Sequence, residues 1–231
     1  MIVLFDADSL VYSSCYGTEN LEEAIDKFEG TYNSIISTIQ DYKDSDLDVR
    51  VYHGATGGNF RTEINPTYKE NRKGKPKPPN YYELSAYVDF SFDAVGAVGE
   101  EVDDVIARDY VHLKARGMDV CIVSIDKDYL QIPDALIYNY GWDNKKEDYK
   151  GFIYVSEDDA RKNFWTQMIT GDSADNVNYL KGKGIKYAQK HLEGATSDFS
   201  YIRRVYTLFK ETYSTDAKNA FMECYNLLKI G

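Results

Sequence analysis

The chain has 231 residues, is 43% hydrophobic and carries a formal net charge of −11. That length suits one α/β domain, or one domain with a small appendage. No run reaches the roughly 18 apolar residues that cross a bilayer, and the acidic total argues against a protein that coats nucleic acid indiscriminately. The first apolar run, Ile2–Phe5, is short and lacks a basic lead, so it reads as a buried strand rather than a signal peptide. Leu21, Ile25, Phe28, Tyr32, Ile35, Ile36 and Ile39 recur every three or four residues and predict a long amphipathic helix. Val49–His53 reads as a second strand, and Gly57-Gly58-Asn59 as a loop.

From 61 to 80 the chain is polar and rich in proline. Arg61, Lys69, Arg72, Lys73, Lys75 and Lys77 face only Glu63 and Glu70, a local excess of four positive charges. This stretch is expected to protrude or move rather than join the core. Residues 94–98 suit a strand, Val102, Val105, Ile106 and Leu113 a helix ending near Gly117, and Val120–Ile125 a strand. Weaker strands are expected at 135–139 and 152–155, and beyond Glu157 the spacing is helical. Alternating strands and helices imply a doubly wound, mostly parallel sheet with helices on both faces, followed by a helical C-terminal part. The expected division is a core over 1–160 and a helical part over 161–231. Three cysteines without CxxC spacing and three scattered histidines argue against a His/Cys zinc site and for reduced thiols in a cytoplasm.

The acids gather where such a sheet presents its sites, beyond the carboxyl ends of strands. Asp6 follows the first strand and Asp126 and Asp128 follow the Val-Cys-Ile-Val strand. Glu100, Glu101, Asp103 and Asp104 follow the strand at 94–98, and Asp172 and Asp175 stand in Gly171-Asp-Ser-Ala-Asp-Asn176. Each group alone has an ordinary explanation, since acids stabilise helix N-termini and aspartates fill turns. Converging carboxylates repel one another unless cations sit between them, and oxygen-only ligands suit Mg²⁺ or Mn²⁺.

Asp6, Glu101-Val-Asp-Asp104, Ile125-Asp-Lys-Asp128, Gly171-Asp-Ser-Ala-Asp-Asn176 and Tyr68-Lys-Glu-Asn-Arg72 occur in an order and spacing that resembles the 5′→3′ exonuclease and flap endonuclease family, in a bacteriophage-type form. The resemblance runs from Met1 to about Leu192. It implies a PIN-like 5′-nuclease fold in which Asp6, Glu101, Asp103, Asp104, Asp126, Asp128, Asp172 and Asp175 hold two or more divalent ions. It further implies metal-assisted phosphodiester hydrolysis near 5′ ends of DNA, with RNA–DNA hybrids also admitted, in replication or DNA processing. Lys69 and Arg72 would grip the scissile phosphate as catalytic groups, Lys73 would add charge, Tyr68 would stack on an unpaired base, and a short basic arch would span about 61–96. Lys181-Gly182-Lys183-Gly184, with Lys186, resembles the family's helix–turn–helix, which holds the backbone of a duplex bearing a 5′ flap, nick or end, often with K⁺ bound. The same likeness implies action in the cytoplasm, that of a host cell if the chain is phage-encoded.

The sequence departs from the family at two places of consequence, one of them Asn178 and Tyr179, which replace the usual proline and glycine after the Asp-Asn pair. An aspartate usually follows the second strand, and here Val51-Tyr-His-Gly-Ala55 offers only His53 or Gly54. Two other readings stand beside the nuclease. Val3-Leu-Phe-Asp-Ala-Asp8 also resembles the nucleophile motif of haloacid dehalogenase-type phosphatases, with Asp6 the nucleophile and Asp8 the acid; the nuclease reading gives Asp8 no part. The third is a catalytically weak nucleic-acid-binding protein of the same fold.

Overall fold

Val3, Leu4 and Phe5 are wholly buried in the first strand, which means both faces of that strand are covered. The computed structural model describes residues 1–141 and 151–231. Among them six strands form one sheet: β1 (Ile2–Asp6), β2 (Asp48–Thr56), β3 (Val95–Val98), β4 (Val120–Val123), β5 (Ala135–Asn139) and β6 (Gly151–Val155). The order is β3-β2-β1-β4-β5-β6, parallel throughout except for the antiparallel β5–β6 pair. The doubly wound, mostly parallel sheet expected from the alternating pattern is therefore present. Parallel pairing carries the C-terminal ends of β1, β2, β3 and β4 to one edge, and the acidic loops sit there.

The helices are α1 (Asp8–Ser14), α2 (Leu21–Lys43), α3 (Phe60–Ile64), α4 (Tyr81–Ser91), α5 (Val102–Ala115), α6 (Glu157–Thr170), α7 (Ile185–Leu192), α8 (Asp198–Tyr213) and α9 (Ala217–Leu228). Strand alternation sorts the core by face. Val3, Phe5, Val51 and Val123 pack with Leu10, Phe28, Ile35, Leu84 and Val88 of α1, α2 and α4. Leu4, Tyr52 and Ile122 pack with Ile106, Tyr110 and Leu113 of α5 on the opposite face. A third cluster, including Phe164, Trp165, Ala188, Leu192, Phe209 and Phe221, joins α6 to α9. Residue 160 lies inside α6, where Ala160 packs against the sheet cluster and Phe164 in the helical one.

Local chemistry sets the ends of these helices. Asn20 accepts the Glu23 N–H at the start of α2, and Ser156 accepts the Asp159 N–H at the start of α6. Gly117 takes φ +74° just beyond α5, a conformation that glycine adopts without strain.

The stretch 61–80 corrects the expectation of a protruding, non-core segment. Arg61 is 1% and Tyr68 3% exposed. Only residues 70–77 run uninterrupted at the surface. A buried guanidinium or phenol is tolerated when its donors are satisfied, and the partners of both lie in the acidic site described next. The arch expected over 61–96 includes regular structure at both ends, in α3 and in α4 with the start of β3. Helix α4 was missed because its apolar residues follow a proline-rich, basic run that reads as a loop.

Candidate active site

The site is built from the loop ends of four strands and one turn behind α6. Gly171 takes φ +69°, and a Cβ there would lie 2.2 Å from the Val177 carbonyl oxygen, so only glycine fits. Beyond it Asp172 and Val177 exchange two backbone hydrogen bonds, of 2.7 and 2.8 Å, that clasp the loop. The Asp172 carboxylate accepts the Ala174 N–H at 2.8 Å. One oxygen each from Asp128, Asp172 and Asp175 lie within 4.8 Å of one another. A set of three converging carboxylates with no nitrogen or sulfur donor fits a hard divalent cation of the Mg²⁺ or Mn²⁺ kind.

Cationic side chains meet the same carboxylates. Lys127 donates to Asp172 at 2.7 Å and Arg72 to Asp175 at 2.6 Å, while Lys69 bonds Glu101 and lies 3.7 Å from Asp175. Lys69 sits at φ +54°, an unusual place for a lysine, and its N–H donates to the Asp175 carbonyl. Gln167 of α6 donates to Asp128 at 2.9 Å and to Asp172 at 3.2 Å, bridging the two. Asp6 lies deeper. Its carboxylate accepts from Ser124 and Tyr129, both at 3.0 Å, and from the Asp8 N–H at 3.2 Å. Asp126 is exposed and caps the Asp128 N–H.

The electrostatics show how much negative charge the site confines. Burial, then the charge of Asp8, pushes Asp6 up to about 7, and burial, then the charge of Asp126, pushes Asp128 up to about 7. Burial with the neighbouring Glu101 and Asp104 holds Asp103 well above the carboxylate range. Burial also raises Asp175 despite Lys69 and Arg72. At Asp172 burial acts upward, but the hydrogen bond and charge of Lys127 outweigh it and leave the group low. Carboxylates raised by burial and by one another are those whose ionised forms a bound cation would favour.

Two residues depart from their expected roles. Asp104 was expected among the metal ligands. Its two oxygens instead take Arg61 Nη1 at 2.5 Å and Nη2 at 2.8 Å, with the backbone N–H groups of Glu101 and Gly231 each at 3.2 Å. Those bonds occupy the carboxylate and hold it low against the upward push of burial, so it acts as the anchor of a buried ion pair. Tyr68 was expected to stack on a base. Its buried ring cannot, and its hydroxyl oxygen sits between two acids, 2.7 Å from Glu101 and 2.9 Å from Asp175, with one proton to share between them. A phenol wedged between two acids fixes their separation.

Arg61, Lys127 and Gln167 escaped the sequence reading. Lys127 was open to notice, standing between the two aspartates of Asp126-Lys-Asp128; Arg61 looked like one more charge in a basic run. His53, at the place of the missing aspartate, lies inside β2: it is 2% exposed, and its Nδ1 lies 2.7 Å from Asp89 of α4. Lys181 and Lys186 are exposed beside Gly182 and Gly184, and Lys183 lies over the Tyr187 ring at 4.4 Å. Gly184 precedes α7, so this basic turn opens a helix, at a distance from the carboxylates in sequence. Asp172 follows α6 rather than a strand, which removes the metal loop that the phosphatase reading requires.

Comparison with known proteins places this geometry among relatives. A family model described as the 5′-3′ exonuclease, N-terminal resolvase-like domain, matches residues 1–163. DNA polymerase I of Rhizobium leguminosarum is 31% identical over 175 residues, which cover 71% of this chain and 17% of that protein. For DNA polymerase I of Caldicellulosiruptor bescii the values are 27% over 223 residues, 89% of this chain and 25% of that protein. The chain thus spans a quarter or less of these two polymerases. A 5′-3′ exonuclease of Buchnera aphidicola is 26% identical over 245 aligned positions, 99% of this chain and 82% of that protein. Among solved structures, the T5 5′-exonuclease with bound zinc superposes with a TM-score of 0.60 at 17% identity, covering 100% of this chain and 99% of that one. The Rad2 catalytic core in complex with DNA substrate superposes at 0.51 and 14% identity, covering 99% and 73%. At such identities the likeness is one of fold.

Proposed function

The chain belongs to the 5′-3′ exonuclease family, and from that premise we propose that it is a divalent-metal-dependent 5′ nuclease acting on DNA. The observation that carries the reading is the meeting of Asp128, Asp172 and Asp175 within 4.8 Å beside Lys69, Arg72 and Lys127. Asp6, Glu101, Asp103, Asp126, Asp128, Asp172 and Asp175 would hold two or more Mg²⁺ or Mn²⁺ ions. When bound, such ions supply an activated water and neutralise charge on the departing oxygen.

This chain's own residues do the rest. Lys69 and Arg72 are paired with acids here. Once cations screen those acids, the same ammonium and guanidinium groups are free to take the scissile phosphate, Arg72 through a bidentate fork. Tyr68 keeps Glu101 and Asp175 apart. Gln167 and Ser124 orient Asp128 and Asp6. Lys73 and the basic turn Lys181–Gly184 with Lys186 contact phosphates of duplex DNA, by charge rather than by sequence. A 5′ flap, nick or end is the substrate form, with RNA–DNA hybrids admitted, and K⁺ at the basic turn is part of the same proposal.

The test is incubation of the chain with 5′-labelled flap, nicked-duplex and RNA–DNA hybrid substrates, with Mg²⁺ or with EDTA. Cleavage only with Mg²⁺, releasing products from the 5′ end, is the expected result. Binding without cleavage on every substrate would leave the catalytically weak DNA-binding reading in its place.

A further inference from the structure

The carboxylates of the site are unevenly distributed about β1. On one side, β4 delivers Asp126 and Asp128; beyond β2, the end of β3 leads to Glu101 and Asp103. β2, the immediate neighbour of β1, ends in His53-Gly-Ala-Thr56 and carries no acid at this edge. A side chain from elsewhere reaches that place. Asp8, the first residue of α1, turns across to β2, where its Oδ1 accepts the Gly54 N–H at 2.8 Å. The same oxygen lies 3.8 Å from Nε2 of His53, whose side chain is 1% exposed. His53 is itself fixed from behind, with Nδ1 2.7 Å from Asp89 and Nε2 3.3 Å from the Ser85 hydroxyl, both on α4.

An acid in the first turn of a helix has an ordinary use, favouring the helix dipole by about 0.3–1 kcal/mol. That use asks for no particular partner. Here the Gly54 N–H aims the group, a buried imidazole lies 3.8 Å from it, and its side chain remains 49% exposed at the sheet edge beside Asp6. An oriented, partly exposed carboxylate next to a buried one is an arrangement that a divalent cation exploits, and carboxylate ligands are commonly oriented by hydrogen bonds such as that from the Gly54 N–H.

We propose that Asp8 supplies the β2 side of the divalent-metal site, held in place by the Gly54 N–H. This rests on the metal-dependent reading above and gives a part to a residue that the sequence-based nuclease reading left idle. It also accounts for the missing aspartate after β2: the charge is delivered from α1 instead.

The test counts Mn²⁺ bound to the full chain, from the loss of the free-ion electron paramagnetic resonance signal, without any turnover. Asp8→Asn keeps the size of the side chain and should weaken one Mn²⁺ site about tenfold or more, as loss of a supporting or liganding group does. A Cβ on Gly54 would meet nothing within 4 Å, and aspartate is among the residues that tolerate its φ of +74°. The double variant Asp8→Ser/Gly54→Asp should therefore restore the weakened site by returning the charge from β2. Asp128→Asn serves as the benchmark, and the metal-free melting temperature of each variant confirms folding. If Asp8→Asn titrates like the wild type while Asp128→Asn loses Mn²⁺, the role of Asp8 is overturned and the metal site stands. If neither variant loses Mn²⁺, the metal-dependent reading falls with it. A loss in Asp8→Asn that folded Asp8→Ser/Gly54→Asp does not repair would overturn the claim that a charge is needed at this place.

Discussion

Asp128 and Asp172 share Gln167 as a donor, yet burial and charge leave them on opposite sides of the usual carboxylate range. The difference is Lys127, which pairs with Asp172 at 2.7 Å, whereas Asp128 faces Asp126. The ionised form of Asp128 is therefore one that the metal-free protein holds at a loss. Replacing it by asparagine keeps an oxygen for Gln167 and removes the repulsion. Asp128→Asn should melt a few degrees above the wild type in EDTA, gain less from Mg²⁺, and lose cleavage by about a hundredfold, the upper end of what loss of a metal-site group entails. Melting curves with and without Mg²⁺ check this. A variant less stable than wild type in EDTA would show that Asp128 is not strained by its neighbours. Asp104 teaches the reverse lesson. It has the sequence appearance of a metal ligand, and its geometry makes it an anchor.

At the scale of elements, Arg61 ties three helices together. It leaves α3, forms the bidentate pair with Asp104 of α5, and donates to the Leu227 and Lys229 carbonyls at the end of α9. Those two carbonyls belong to the last turn, where a helix lacks internal donors, so the guanidinium acts as a cap as well as a counter-ion. Removing one member of a buried pair costs about 3–5 kcal/mol because the other charge stays buried. Arg61→Met should accordingly lower the melting temperature by roughly 6–20 °C. A drop of less than about 2 °C would mean the pair contributes little. The basic turn before α7 makes a separate prediction. Lys183→Ala should weaken duplex binding and reduce the slope of log affinity against log salt by about one. An unchanged slope would remove Lys183 from the phosphate contacts.

For the whole molecule, the acid count is a stability term that depends on pH. Asp6 and Asp128 titrate near 7 in the folded chain, against an ordinary aspartate value of about 4. A carboxyl group whose pKa rises on folding binds its proton more tightly in the folded state. Between about pH 4 and pH 7 the folded chain thus holds more protons than the unfolded one, and stability falls as pH rises through that window. Asp104 and Asp172 shift the other way, so their contribution is lost only below the ordinary aspartate range. In EDTA the protein should melt at a higher temperature at about pH 5.5 than at about pH 7.5, and saturating Mg²⁺ should shrink or reverse the difference. A metal-free melting temperature that climbs across the same interval would contradict the site's charge balance. Among the described residues no helix is long and apolar enough to cross a membrane.

The order of strands and helices was legible in the chain because periodicity is a local property. Buried β4 reads as Val-Cys-Ile-Val whatever it packs against, and the Ile and Phe spacing of α2 repeats over many turns. The acidic clusters were legible too, because parallel pairing sends the ends of β1, β2, β3 and β4 to one edge. Which acid does what was not. Asp103 and Asp104 are adjacent letters, yet Asp103 accepts the Asp104 N–H while the Asp104 carboxylate meets Arg61, 43 positions away. Tyr68 and Asp175, 107 positions apart, and Asp8 and Gly54, 46 apart, meet for the same reason. Sequence fixes which side chains exist and how each segment coils. The pairing of charges across segments depends on distances of a few ångströms, and those are settled only when the layers pack.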